Sequence, residues 1–166
     1  WIKAHWMNMH QREIDWRPPL EAFAPLVGAP FAFILHGGEQ AQHSEWTFIG
    51  ADPAETVEWA DGVTMLSGQP CAQSPFEALA RLHKSRAPAQ SSVCDAPFFS
   101  GLFGYAGYEC ARIFEPGVAR FPSPYELPDL AFGAYDAVAA FHRTRRRAWL
   151  VGRSAAAVTR LAERLE

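Results

Sequence analysis

The sequence predicts an α+β fold in which mainly antiparallel sheets are flanked by helices. Its strand-like segments follow one another in pairs joined by short polar turns, which is typical of hairpins. Helical segments stand between or after these pairs, instead of alternating with single strands as they would in a parallel α/β sheet. Apolar residues make up 49% of the 166 residues, which is enough for a packed core.

The first third of the chain predicts three strands and a polar loop. Residues 13–16 alternate polar and apolar side chains and indicate an edge strand, which two prolines then end. The same prolines open a short helix over residues 20–26. Residues 31–35 are continuously apolar and predict a buried strand, and residues 46–50 predict its partner. The loop between them, residues 37–45, has a length suited to such a connection.

An Asp-Gly pair and two serines give the clearest local signals. Asp61 and Gly62 lie between two alternating runs and predict a tight hairpin. Ser74 is followed by a Pro and a Glu and predicts the start of a helix. The predicted apolar face of this helix consists of Phe76, Leu79, Ala80 and Leu82. Ser154 predicts the start of a C-terminal helix, whose apolar face carries Val158, Leu161 and Leu165.

The run PFFSGLFGYAGYE at residues 97–109 predicts a core strand that turns into a short helix. Gly101, Gly104 and Gly107 recur at every third position, so a neighbouring strand, helix or ligand could approach the backbone closely. No Lys follows the glycines and no GxGxxG pattern is present, which excludes a phosphate-binding loop.

Residues 132–141 and 148–151 predict a second hairpin with a basic tip at residues 142–147. Clustered cations can bind phosphates, but the net charge is −3 and no aromatic residues interleave with the arginines. We therefore interpret the whole tip, His142 included, as a solvated turn, and we expect no nucleic-acid partner.

Cysteine spacing and hydropathy exclude several other classes of protein. Cys71, Cys94 and Cys110 share no CxxC spacing, so they predict reduced and mostly buried thiols rather than a zinc site or a disulfide framework. No apolar run reaches the roughly 20 residues that span a bilayer, and no signal peptide is visible. We expect a cytoplasmic protein with no membrane partner.

Four motifs in a fixed order carry a resemblance to a known family. They are PFAFILHGG at residues 30–38, WTFIGADP at 46–53, the glycine-rich run at 97–109 and LPDLAFGAYD at 127–136. Together they resemble the N-terminal region of aminodeoxychorismate synthase component I, in the chorismate-utilising family that also contains anthranilate synthase component I. The resemblance extends from about residue 12 to the end of the chain.

The resemblance implies that residues 1–166 are a single domain, the N-terminal region of a longer enzyme with an α/β/β/α fold. That enzyme would aminate chorismate to 4-amino-4-deoxychorismate for 4-aminobenzoate and folate synthesis. Its ammonia would come from a glutamine amidotransferase subunit or domain, and Mg²⁺ would bind in its C-terminal catalytic half. Residues 1–166 alone are therefore expected to be inactive, and we assign them no catalytic residue and no cofactor. Anthranilate synthase component I and a stand-alone small-molecule-binding module are the alternatives.

The resemblance also implies a tryptophan site in the strand–loop–strand unit. The equivalent region binds inhibitory tryptophan in anthranilate synthases and a structural tryptophan in some aminodeoxychorismate synthases. The matching positions are Leu35, His36, Gly37, His43, Ser44, Glu45 and Trp46. Backbone groups at the strand ends and the Ser44 hydroxyl could bind the charged ends of an amino acid.

This chain departs from the family pattern within that unit. The usual Tyr-Ser-Arg reads His43-Ser44-Glu45 here, which reverses a charge, and Gly37 stands where the anthranilate branch has an acidic residue. An empty or apolar-filled pocket is therefore the alternative to tryptophan binding. His36, His43 and Glu45 have metal-binding side chains, but they are too loosely grouped to predict a metal site.

Overall fold

The computed structural model describes residues 9–37, 45–86, 96–115, 117 and 125–166. The chain divides into two compact units, each with its own sheet and core. The first unit consists of Trp1–Pro53, Ala87–Gly101 and Tyr135–Glu166, and the second of Ala54–Arg86 and Leu102–Ala134. The mixed α+β class with antiparallel sheets is confirmed. That residues 1–166 form a single domain of a longer enzyme stays a prediction.

The secondary structure of the described residues follows in chain order. The strands are β1 (His10–Ile14), β2 (Phe33–His36), β3 (Trp46–Gly50), β4 (Glu55–Ala60), β5 (Val63–Leu66), β6 (Gln69–Cys71), β7 (Gly101–Ala106), β8 (Leu130–Tyr135), β9 (Ala137–His142) and β10 (Arg147–Gly152). The α-helices are α1 (Pro19–Phe23), α2 (Pro75–Ser85) and α3 (Ala155–Leu165), and Ala24–Leu26 and Tyr108–Ile113 form 3-10 helices.

The first unit is an antiparallel sheet with strand order β1-β10-β9-β3-β2. Alternate residues of the central strands, such as Ile49, Phe141 and Leu150, are fully buried in one core with α1 and α3. The Ser154 side chain accepts a hydrogen bond from the Ala157 N–H at 3.1 Å, so the predicted helix start is confirmed. The three predicted apolar residues of α3 are all buried.

The second unit is an antiparallel sheet with strand order β6-β5-β4-β8-β7, packed against α2. Its predicted hairpin is confirmed, because Asp61 and Gly62 both have positive φ, at 51° and 82°, as a tight primed turn requires. Ser74 accepts a hydrogen bond from the Glu77 N–H and begins α2 as predicted. The Glu77 carboxyl in turn accepts hydrogen bonds from the Ser74 N–H and the Ser74 hydroxyl, and these two bonds lower its pKa.

The prediction for the apolar face of α2 and the predicted bounds or burial of three strands need correction. Ala80 of α2 is exposed, and Ala78 is buried instead, because the core face follows the spacing of Pro75, Ala78 and Leu82. The predicted edge strand at residues 13–16 is confirmed as an edge, although β1 ends at Ile14 and Trp16 lies beyond it. The other two strand corrections concern residues 31–35 and 132–141.

Residues 31–35 do not form a buried strand. Phe31 has a φ of 54°, which is incompatible with extended backbone, so β2 begins at Phe33. Phe33 is buried, whereas Leu35 is 41% exposed, because β2 is an edge strand with β3 as its one neighbour in the described sheet.

Residues 132–141 do not form one strand either. The chain breaks at Asp136, and the two halves, β8 and β9, belong to different sheets. Both halves are almost wholly buried, so the sequence is apolar on both sides of the break and its pattern does not reveal where one strand ends. The second predicted hairpin is confirmed for β9 and β10, with residues 143–146 as its tip.

The glycine-rich run forms β7 and then a 3-10 helix, as predicted, but β7 is an edge strand with no fully buried residue. A Cβ on Gly104 would lie 2.1 Å from the Ala131 carbonyl oxygen and 2.5 Å from the Phe132 Cα. The predicted close backbone approach is therefore confirmed at Gly104, where the approaching element is β8.

Candidate functional site

Five of the seven predicted tryptophan-site residues lie in the described part of the chain. They form two groups at facing strand ends, with Leu35 and His36 ending β2, Gly37 directly after it, Glu45 just before β3 and Trp46 at its first position. The other two, His43 and Ser44, lie outside the described residues. The structure thus brings together the ends of the strand–loop–strand unit.

The side chains of these strand ends are divided between the two faces of the sheet. His36 is paired with Thr47, and its Nδ1 lies 2.8 Å from the Thr47 Oγ1, in hydrogen-bonding contact. Leu35 is the neighbour of His36 and is paired with Phe48, so these two side chains lie on the opposite face of the sheet. Trp46 lies on that same face, because it is two residues from Phe48 along β3. A small ligand could contact side chains of both faces only if it bound at the ends of β2 and β3. Backbone N–H and C=O groups are also available there.

Trp46 packs in a cluster of aromatic rings on its face of the sheet. Its ring centroid lies 4.8 Å from that of His142, 5.8 Å from that of Trp149 and 6.1 Å from that of Phe48. The Phe98 ring meets Phe48 edge-to-face at 5.6 Å. The indole of Trp46 is therefore part of the packing of the first unit, and it presents only part of its surface to a ligand.

Glu45 contacts the β9–β10 hairpin. Its Oε2 lies 3.6 Å from the His142 Nε2, and its carbonyl oxygen accepts a hydrogen bond from the Arg143 N–H at 2.8 Å. The Arg145 N–H donates to the His142 Nδ1 at 3.3 Å, so a neutral His142 carries its proton on Nε2, towards the carboxylate. The carboxylate at position 45 therefore faces the His142 ring, and the Glu45 backbone is hydrogen-bonded to the hairpin.

The prediction of a fully solvated basic tip is wrong for His142, which is 3% exposed. Two arginines at or beside the tip are also held by neighbouring elements. The Arg146 guanidinium lies 4.4 Å from the Trp16 ring centroid. Arg147 donates two hydrogen bonds to Glu13 at 2.8 and 2.9 Å, which raise the pKa of Arg147 and lower that of Glu13. These partners are far away in sequence, so the local composition gave no sign of them.

A cleft of about 420 Å³ lies at the opposite edge of the same sheet, where the sequence predicted no site. Residues 12–17 and the end of α3 line it, and Arg17 donates a hydrogen bond to the Leu165 carbonyl oxygen. The indole N–H of Trp16 has no hydrogen-bond partner in the described structure. Its lining combines charges of both signs with a half-buried indole, and this combination does not indicate a particular class of ligand or reaction.

The described residues contain no group of three or more His, Cys, Asp or Glu side chains that could hold a metal ion. They offer no fit for the Mg²⁺ that the resemblance implies for the full-length enzyme, and its binding elsewhere stays a prediction. Cys110 is buried and Cys71 half-buried, both as free thiols, and Cys94 lies outside the described residues. None of the helices in the described ranges combines the length and the apolar character of a membrane-spanning helix.

Comparison with known proteins gives relatives in two enzyme groups, although no protein-family model matches the sequence. Aminodeoxychorismate synthase component 1 of Klebsiella aerogenes is 32% identical over 130 residues, covering 74% of this chain and 29% of that protein. Anthranilate synthase component 1 of Thermus thermophilus is 30% identical over 139 residues, covering 82% of this chain and 30% of that protein.

The fold is similar to that of a solved anthranilate synthase component I, from Streptococcus pneumoniae TIGR4. The TM-score is 0.58 at 19% sequence identity, and the similarity covers 89% of this chain and 33% of that chain. The chain spans about 30% of the length of the two curated relatives that it matches here. The two enzyme groups are matched at nearly equal identity.

Proposed function

The chain is a homologue of component I of the aminodeoxychorismate and anthranilate synthases, and from this premise we propose that it is the N-terminal part of an aminodeoxychorismate synthase component I. The full-length protein then aminates chorismate to 4-amino-4-deoxychorismate. The observation that carries this proposal is the 32% identity to the Klebsiella aerogenes enzyme over 74% of the chain. The motifs at residues 30–53 and 97–136 support it.

The proposed division of labour leaves the chemistry to the rest of the polypeptide. Both curated relatives are about three times as long as the segment that they share with this chain. We propose that the catalytic groups, chorismate and Mg²⁺ belong to the remaining part, and that a cytoplasmic glutamine amidotransferase supplies ammonia. The present residues serve as a structural and regulatory domain.

The proposed reaction is tested by product analysis with the full-length protein. Chorismate, an ammonium salt and Mg²⁺ are supplied, so that no amidotransferase is needed, and the products are separated by liquid chromatography with mass detection. We expect 4-amino-4-deoxychorismate as the product, and no turnover by residues 1–166 alone. Absence of chorismate turnover by the full-length protein would overturn the proposal, and turnover by residues 1–166 would overturn the division of labour.

Anthranilate synthase component I is the second candidate. The Thermus thermophilus enzyme favours it, because the match extends over 82% of this chain, a larger share than for the Klebsiella aerogenes protein. Anthranilate as the sole product of the same assay would establish this candidate in place of the first.

The regulatory part of the proposal is an amino-acid site at the ends of β2 and β3, with tryptophan as its ligand. Leu35 and His36 are exposed there beside strand-end backbone groups, and Trp46 lies on the Leu35 face. We expect calorimetric titration of the full-length protein with L-tryptophan to give saturable binding. The His36→Ala variant is expected to bind about tenfold more weakly, as the loss of one polar partner predicts.

His10→Ala is the matched control, because His10 is an exposed histidine on β1, at the other edge of the same sheet. It is expected to leave tryptophan binding unchanged. If the folded protein gives no heat of binding at millimolar tryptophan, the ends of β2 and β3 have only a structural role and the proposed tryptophan pocket is closed.

A further inference from the structure

The turn before β2 has a strained backbone. Phe31 has a φ of 54°, in the left-handed region that bulky side chains rarely adopt. Such a conformation persists only where the surroundings hold it, and it is often associated with a functional constraint. Phe31 lies two residues before the first residue of β2, so its conformation sets the direction in which the strand begins.

Tyr135 holds this turn through its hydroxyl group. The Tyr135 Oη donates a hydrogen bond to the Phe31 carbonyl oxygen at 2.5 Å. The Tyr135 side chain is 2% exposed, and burial raises the pKa of its hydroxyl, so the group remains a donor at ordinary pH. Tyr135 and Phe31 both belong to the first unit, so the hydrogen bond lies within that unit.

The same tyrosine also contacts the first side chain of β2. The Phe33 and Tyr135 rings meet edge-to-face with centroids 4.8 Å apart and an interplanar angle of 74°. A Cβ on Gly50 would lie 2.4 Å from the Phe33 ring, so that ring lies directly over the glycine paired with it. Phe33 is the one buried residue of the four in β2.

We propose that Tyr135 is a positioning residue for β2: by holding Phe31 in the left-handed conformation, it fixes where the strand enters the sheet and where Leu35, His36 and Gly37 lie. β2 is held at the edge of the sheet by its pairing with β3, and the turn before it by a backbone hydrogen bond from the Ala32 N–H to the Ala29 carbonyl oxygen; the Tyr135 hydroxyl adds a contact with Phe31 itself. The consequence for tryptophan rests on the proposed function, whereas the consequence for β2 itself does not.

Hydrogen–deuterium exchange of the full-length protein tests this role. Tyr135→Phe keeps the ring and its contact with Phe33 but removes the hydrogen bond. We expect peptides covering β2 to exchange about tenfold faster, while peptides covering β9 and β10 of the same sheet stay unchanged. Adding Phe31→Gly is expected to restore slow exchange, because glycine adopts the left-handed conformation without strain and no longer needs the hydroxyl.

Tyr105→Phe is the matched control. The Tyr105 Oη donates to the Pro128 carbonyl oxygen at 3.0 Å, which is the same kind of bond in the second unit. This variant is expected to leave exchange in β2 unchanged. The proposal is overturned if Tyr135→Phe does not accelerate β2, if it accelerates β2, β9 and β10 alike, or if Phe31→Gly gives no recovery.

Tryptophan titration of the same variants separates this proposal from the proposed function. If the wild-type protein binds tryptophan, Tyr135→Phe is expected to weaken binding about tenfold, and Phe31→Gly to restore it. If the wild-type protein does not bind tryptophan, the regulatory part of the proposed function fails. The exchange rates of β2 still decide the role of Tyr135 in that case.

Discussion

Replacing Gly104 by Ala is expected to destabilise the second unit by about 3 kcal/mol, at the upper end of the range for overpacking. The added Cβ would lie 2.1 Å from the Ala131 carbonyl oxygen and 2.5 Å from the Phe132 Cα, both of which are backbone atoms of β8. A flexible side chain could move away from such a contact, whereas a strand that is paired with β4 on its other side cannot. The variant must therefore separate β7 from β8.

Urea denaturation followed by intrinsic fluorescence measures this effect, because Trp59 lies in the core of the second unit. Gly117→Ala is the control, since Gly117 is exposed and a Cβ there would meet no atom within 4 Å. We expect the control to change the free energy of unfolding by less than about 0.5 kcal/mol. Equal effects of the two substitutions would show that the close approach at Gly104 does not limit stability.

Elements that are determined by neighbouring residues could be predicted from the sequence. Asp61 and Gly62 form their turn, and Ser74 and Ser154 begin their helices, through hydrogen bonds and backbone preferences within about four residues. The close approach at Gly104 could also be predicted from the sequence, because a glycine within an otherwise aromatic strand often marks a place where another backbone comes close. Which strand makes that approach depends on pairing across the chain, and local sequence does not contain it.

The wrong strand predictions share one physical origin. Burial on both faces removes the alternation that distinguishes one strand from the next, so the apolar run from β8 through β9 showed no break at Asp136. Residues 31–35 were equally apolar, yet β2 became an edge strand because long-range pairing placed β3 on one side of it. Sequence patterns indicate that a strand forms, but the sheet decides how deeply it is buried.

The candidate site was predictable in position but not in its contacts. The resemblance led to the ends of β2 and β3, and alternation along β3 assigns Trp46 and Thr47 to opposite faces. The contact of Glu45 with His142 comes from the pairing of β3 with β9, and the hydrogen bond from Tyr135 to Phe31 joins segments 104 positions apart. Such contacts follow only from the folded sheet.

Arg112→Met is expected to destabilise the second unit by about 3 kcal/mol, the lower end of the range for breaking a buried ion pair. Arg112 forms ion pairs with two carboxylates at 3.1 Å each. Its Nη2 donates a hydrogen bond to Asp129, just before β8, whereas its Nε faces Glu109 on its own 3-10 helix without hydrogen-bonding geometry. Its guanidinium also lies 5.6 Å from the Trp59 ring centroid. Methionine retains most of the packing but leaves two like charges close together in a site where neither is more than 20% exposed.

A double-mutant cycle with Asp129→Asn separates charge from packing. If the cost of Arg112→Met comes from uncompensated carboxylates, the double variant is more stable than the sum of the single effects predicts, by about 1 kcal/mol or more. Arg164→Met is the matched control, because Arg164 pairs with Asp52 at 2.7 Å while both side chains are about half exposed, and surface pairs contribute less than about 1 kcal/mol. Additive effects in the cycle, or a loss no larger than that of Arg164→Met, would mean that Arg112 acts through its aliphatic chain. In that case the packing of Trp59, and not the two ion pairs, holds the 3-10 helix against β8.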